Sequence, residues 1–188
     1  MSFSFPAKSA VLAASAVLIS ACSPDKAGRI LAPEKYGLTC VSQTVCLDDT
    51  SRKTEAQQLY AQASRSIQAD LAPFKAPPRV LFCSTKACSD QFGEDDNQAL
   101  TLGTYGILIR EDGWHGYTVR HEMIHHLQNE RFGVREASYN LPKWYIEGMG
   151  YALSGDPRNP LPRPELQRYK DKYNAWIAKG NHWSKPPQ

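Results

Sequence analysis

Dense Lys/Arg runs, internal repeats and low-complexity tracts are all missing from this sequence. The formal charge at pH 7 is only +3, too small a surplus to argue for nucleic acid as a partner. A bilayer-spanning run is missing as well: the apolar stretch "AVLAASAVLIS" at residues 10–20 is too short to cross about 30 Å of hydrocarbon, which takes roughly twenty residues. Histidine is scarce, with five in 188 residues, yet three of the five fall within residues 121–126.

The N-terminal segment reads as an address rather than as structure. Lys8 is its one charge, the apolar stretch follows, and "ISAC" ends it at Cys22. Small residues directly before a cysteine resemble the lipobox of bacterial lipoproteins, in which that cysteine is lipidated and becomes the mature N-terminus. The alternative is an ordinary secretory signal cleaved nearby. On the first reading residues 1–21 are a signal peptide, 22–39 a tether and 40–188 one domain, and the 167 residues from Cys22 onward suffice for a single core. Ser23 stands where an aspartate would mark inner-membrane retention in some bacteria, so the same resemblance points to the outer membrane, facing the periplasm.

Cysteines 40, 46, 83 and 88 would sit in an oxidising compartment, and two local disulfides, Cys40–Cys46 and Cys83–Cys88, are the expected pairing. Free thiols are the alternative, and neither pair has the two-residue gap of a zinc knuckle. Pro24, Gly28, Pro33 and Gly37 mark the tether, with order expected from near Cys40. Ala56, Leu59, Ala63, Ile67 and Leu71 recur at helical spacing over residues 51–72, up to Pro73. "APPRVLFCS" reads as a buried strand, and "TLGTYGILIR", residues 101–110, as a second strand. Further helices are expected from Trp114 or Gly116 to Phe132, over "PKWYIEGMGYALS" with Asn140 as its cap, and from Pro164 to about Lys179, followed by a loose tail.

The chemistry lies in "VRHEMIHHLQ", residues 119–128. Residues four apart on a helix share a face at roughly 5–6 Å, so His121 and His125 can reach one ion. Glu122, at the edge of that face, can serve a metal-bound water without ligating the metal, the arrangement of H-E-x-x-H. The plain alternative, a solvated helix face with idle histidines, is weakened by the scarcity of histidine elsewhere. A catalytic zinc takes three protein ligands, and Glu147, an acid within the apolar, glycine-rich "LPKWYIEGMGYA", is the candidate for the third because burying it unpaired would be costly. Gly148 and Gly150 on the same helix suggest close approach to the histidine helix. His126, turned about 100° from His125, falls off the metal face, and Trp144 and Trp176 read as core anchors.

HEMIHH followed by LPKWYIEGMGYA resembles the gluzincin metallopeptidases, in which H-E-x-x-H on one helix is completed by a glutamate on a following helix, commonly within a "P-x-W-x-x-E-G" stretch. The resemblance covers about residues 79–156. It implies His121, His125 and Glu147 as ligands of one catalytic Zn2+ and Glu122 as general base. The fold implied is α+β and zincin-like, a small twisted sheet over an active-site helix with a mainly helical C-terminal half. The activity implied is hydrolysis of a peptide or protein substrate, bound in extended form beside an edge strand for which 101–110 is the candidate. Tyr151, where several of these families have an acid, is the candidate for steadying the oxyanion, with Tyr145, Tyr139 and His115 as competitors. The group that orients His121 is left open. Two other readings keep the fold: a non-catalytic binding or scaffold lipoprotein, which would have no need of Glu122, and hydrolysis of a cell-wall amide.

Overall fold

A computed structural model describes residues 24–93 and 97–187; the signal segment and the lipidation candidate Cys22 lie outside the described residues. In chain order the elements are α1 (Pro24–Leu31), β1 (Thr39–Cys40), β2 (Val45–Leu47), α2 (Lys53–Asp70), β3 (Val80–Phe82), α3 (Lys86–Asp90), β4 (Ala99–Leu102), β5 (Gly106–Ile109), α4 (Gly116–Phe132), α5 (Lys143–Leu153) and α6 (Pro164–Ile177). The result is a mixed α+β fold, a five-stranded sheet in the order β1-β2-β3-β5-β4 with helices packed on it and a mainly helical second half. No described helix is long and apolar enough to cross a membrane.

Strand alternation divides the core between the two faces of the sheet. Val45, Leu47, Val80, Phe82, Ile107 and Ile109 join a cluster with Ile67 of α2, Met123 and Leu127 of α4 and Tyr145 of α5. The residues between them, Cys46, Leu81 and Leu108, join a smaller cluster with Ile30 of α1 and Phe92. Burial on both faces is why these strands read as continuous apolar runs, as parallel neighbours do; β3 lies parallel to both β2 and β5.

Four expectations need correction. Residues 24–38 are folded rather than a free tether: α1 and a 3-10 turn at Pro33–Tyr36 lie on the sheet, with Ile30 and Leu38 buried. The segment 101–110 is not one strand but part of a hairpin, because Gly103, at φ 53°, turns the chain between β4 and β5; of the two, β4 and not β5 is an edge strand, β1 forming the opposite edge. Asn140 does not cap α5; it ends a π-helical turn and donates to Glu136, while Pro142 takes the cap position without a side-chain bond. The tail is held down, since Trp183 is buried and its carbonyl accepts the buried hydroxyl of Tyr145. The disulfides Cys40–Cys46 and Cys83–Cys88 form as expected.

The two glycines of α5 serve different neighbours. Gly150 faces the histidine helix as expected, but Gly148 faces α6, where an added Cβ would lie 2.4 Å from the Tyr169 carbonyl oxygen and 2.9 Å from the Tyr173 Cβ. Backbone cannot yield as a flexible side chain can, so Gly148→Ala must push α5 and α6 apart. Its expected cost is about 1–3 kcal/mol, typical of overpacking, read as a lower urea midpoint; an unchanged midpoint would show that this helix contact is not tight.

Candidate metal centre

Helix α4 runs under the edge strand and supplies His121, Glu122, His125 and Gln128 to the site. His121 and His125, one turn apart, present Nε2 atoms 2.9 Å from each other. Glu147 arrives from α5 and sets its Oε2 3.6 Å from His121 Nε2 and 3.7 Å from His125 Nε2. Three ligand atoms of the types zinc prefers thus converge within 4.8 Å. Ligands about 2.0–2.1 Å from a tetrahedral ion stand roughly 3.3 Å apart, within the span of the distances seen here.

The electrostatics ask for a cation at the same point. Burial disfavours charge on His125, but the adjacent Glu147 carboxylate outweighs it and raises the His125 pKa to about 9. Burial likewise opposes ionisation of Glu147, and His125 and His121 override it, holding the carboxylate well below its ordinary range. Two imidazoles and a carboxylate in one pocket share the need for positive charge between them, which a divalent ion meets while leaving both rings neutral. The donor set therefore fits a metal ion of the zinc type.

Each histidine of the cluster is held from behind. Gln128, one turn after His125, accepts at Oε1 from His125 Nδ1 at 2.8 Å and donates through Nε2 to the Ile146 carbonyl at 3.1 Å. One side chain thereby orients a ligand ring and fastens α4 to the residue before Glu147, the role that outer partners of metal-bound histidines fill. His121 lies between Gly150 and Tyr151: a Cβ on Gly150 would be 2.7 Å from its Cε1, and the Tyr151 ring packs against it with centroids 4.4 Å apart. The packing gives an answer, though not a hydrogen-bonding one, to what positions His121.

Glu122 is 8 % exposed and does not join the ligand triad. Its Oε2 accepts from the Thr101 hydroxyl at 2.6 Å, and the same hydroxyl lies 2.8 Å from the Glu122 carbonyl oxygen. Thr101 belongs to β4, so the edge strand both borders the cleft and fixes the carboxylate. Sequence reasoning missed Thr101 and Gln128. A Gln three residues after a ligand histidine is a signal that could have revealed Gln128; nothing in the sequence singles out Thr101, since its contact crosses from strand to helix.

The centre opens into a cleft of about 760 Å³ lined by β4, α4, α5 and the start of α6. Of the four candidates for a second donor, Tyr151 lines this cleft, whereas Tyr145 is a fully buried core residue, Tyr139 is 62 % exposed elsewhere, and His115 does not line it but stacks on Tyr117, which does. His126 points away as expected, buried against Phe74 with its Nε2 near the Ala76 carbonyl and Glu130. Burial lowers its pKa against the pull of Glu130, as suits a neutral packing residue. Trp144 packs edge-on against Trp176 within the α5–α6 contact, and His182 is exposed beside Ser184.

Comparison with protein-family models, curated proteins and solved structures finds no match to this chain, so the site is read from its own geometry. Two substitutions test that geometry. Gly150→Ala should displace His121 and weaken zinc binding roughly 10–100-fold, the usual range for disturbing a ligand's support, measured by competition with a chromogenic chelator; unaltered affinity would mean that His121 is not a ligand. Thr101→Val removes the donor to Glu122 but no ligand, so zinc affinity should persist while kcat for any hydrolysis falls roughly tenfold, the worth of one hydrogen bond to a charged group. A loss of zinc instead would place Glu122 in the metal's own shell.

Proposed function

We propose that this protein is a zinc-dependent peptidase of the bacterial cell envelope, anchored by lipid at Cys22. The observation that carries the reading is Glu122: a buried carboxylate beside the His–His–Glu triad, held through one oxygen by Thr101, is what a general base requires and a mere metal store does not. Zinc held by His121, His125 and Glu147 would supply a Lewis acid that polarises a carbonyl and acidifies water.

The chain's own groups do the rest. Thr101 holds Oε2 of Glu122, leaving the other oxygen to take a proton from the attacking water and pass it to the leaving amine. Burial, and then the charge of Glu147, raise the pKa of Tyr151; the phenol stays protonated at neutral pH and can donate to an oxyanion formed beside His121. Strand β4, paired on one side by β5, offers its outer backbone edge to an extended peptide, which gives affinity with little demand on sequence.

The anchor rests on the "ISAC" sequence. Because α1 begins at Pro24, one residue separates Cys22 from the fold, which would seat the domain close against the outer membrane, on the side facing the periplasm. Cys22→Ala should move the protein from the membrane to the soluble fraction, and unchanged fractionation would refute the anchor.

Zinc-loaded wild-type protein and Glu122→Gln are incubated with a proteome-derived peptide mixture and new termini are read by mass spectrometry. Cleavage by the wild type alone is expected, with loss of at least 100-fold in the variant, in keeping with the worth of a general base. Equal inactivity of two zinc-bound proteins would remove the peptidase reading.

A further inference from the structure

The cleft wall opposite β4, built from the end of α5, residues 154–163 and the start of α6, carries two arginines that hydrolysis itself leaves unused. Arg158 is fastened from behind: its Nε lies 2.9 and 3.0 Å from the two carboxylate oxygens of Asp156, its Nη2 bonds the same group, and its backbone N–H donates to it at 2.9 Å. The Asp156 side chain is 1 % exposed and that of Arg158 34 %. The buried acid thus acts as a mount and the guanidinium as its exposed cover, with the Tyr117 ring 5.1 Å away as a side support. A guanidinium has several N–H groups beyond the Nε and Nη2 edge used here, so Arg158 retains donors for a second carboxylate.

Arg163, exposed at the cap of α6, lines the same cleft as Tyr151 and has no carboxylate partner among the described residues. The other acids of the cleft are committed. Glu122 and Glu147 belong to the metal centre, Asp156 is taken by Arg158, and Glu165 accepts from the Tyr169 hydroxyl. Arg163 thus makes no ion pair among the described residues, and Asp156 leaves the Nη1 side of Arg158 unused, so both guanidinium groups offer donors to the cleft.

We propose that Arg158 and Arg163 form an anion subsite that selects substrates bearing a carboxylate within a residue or two of the bond that is cut. The proposal rests on the hydrolytic reading of the same cleft. Its position follows from the cleft itself, which both arginines line together with His121 and with Tyr151, whose ring packs on His121. Subsite and ligands thus share one cleft, and an extended peptide advances about 3.3–3.6 Å per residue. The planar fork of arginine matches a carboxylate in two-bond geometry. Asp156 fixes the orientation of Arg158 in advance, so little ordering remains for the substrate to impose. An acidic side chain and a free C-terminus present the same chemistry.

The test reads binding without turnover, on full-length zinc-loaded protein carrying Glu122→Gln. Four peptides are titrated by calorimetry: Ala-Ala-Glu-Ala and Ala-Ala-Gln-Ala, each with a free or an amidated C-terminus. At least one carboxylate form should bind tenfold or more tighter than the Gln-amide, which has no carboxylate, and comparison of Glu-amide with Gln-acid identifies which carboxylate is read. Adding Arg158→Gln or Arg163→Gln should erase the preference, and Arg158→Lys, which keeps the charge but not the fork, should retain part of it. Arg163 is exposed, so its variant tests the subsite even if Arg158→Gln does not fold. Equal binding of all four peptides, or of none, overturns the subsite. A preference that survives both glutamine variants assigns the carboxylate to the metal and overturns it too. Failure of the wild type to cleave any peptide would instead strike the hydrolytic reading, leaving the carboxylate preference separately measurable.

Discussion

The approach of α5 to α4 at His121 is the contact on which the rest of the site depends. Gly150 allows it, because any side chain there would meet the imidazole at under 3 Å; Gln128 secures it by bonding His125 and the Ile146 carbonyl together. Only at this separation does a carboxylate from one helix share a pocket with two imidazoles from the other. The glycines lower helix propensity by roughly 1 kcal/mol each, a cost accepted where backbone closeness cannot be had otherwise. Gly148 repeats the device on the opposite face of α5, so that helix is wedged between α4 and α6 and has little freedom to shift Glu147.

The sheet matters to this arrangement through its edge. Its centre, buried on both faces, gives α4 a fixed floor through Met123 and Leu127, while β4 reaches over the helix and holds Glu122 through Thr101. The His–His–Glu cluster and Glu122 thus receive support from different layers: the cluster from helix–helix packing, Glu122 from the strand. That separation keeps a carboxylate adjacent in sequence to His121 outside the cluster. The arginine wall completes the cleft from a third direction, and its mount, Asp156, lies just beyond the end of the helix that carries Glu147.

Much of this was legible in the sequence because the features were local. His121, Glu122 and His125 sit within one turn of one helix, and Glu147 stood out as an acid among apolar and small residues; both disulfides join cysteines close in sequence. What stayed hidden depends on contacts between distant segments or on backbone angles. The hairpin at Gly103 passed as a continuous strand because β4 and β5 are both apolar and a short glycine-containing turn interrupts the pattern little. Residues 24–38 passed as a tether since the prolines and glycines that signal a linker also cap and end short helices, and nothing local shows that Ile30 is buried under the sheet. Thr101, Gln128 and the Asp156–Arg158 pair are ordinary polar residues until the fold gives them neighbours.

The central claim is that two imidazoles and one carboxylate of this chain hold a zinc ion, and X-ray absorption at the zinc edge of the stoichiometrically loaded protein tests it most directly. The account predicts one ion per chain, in a shell of nitrogen and oxygen only at about 2.0–2.2 Å, with the histidine signature of two rings. A sulfur shell near 2.3 Å, or the absence of a stoichiometric ion, would contradict it.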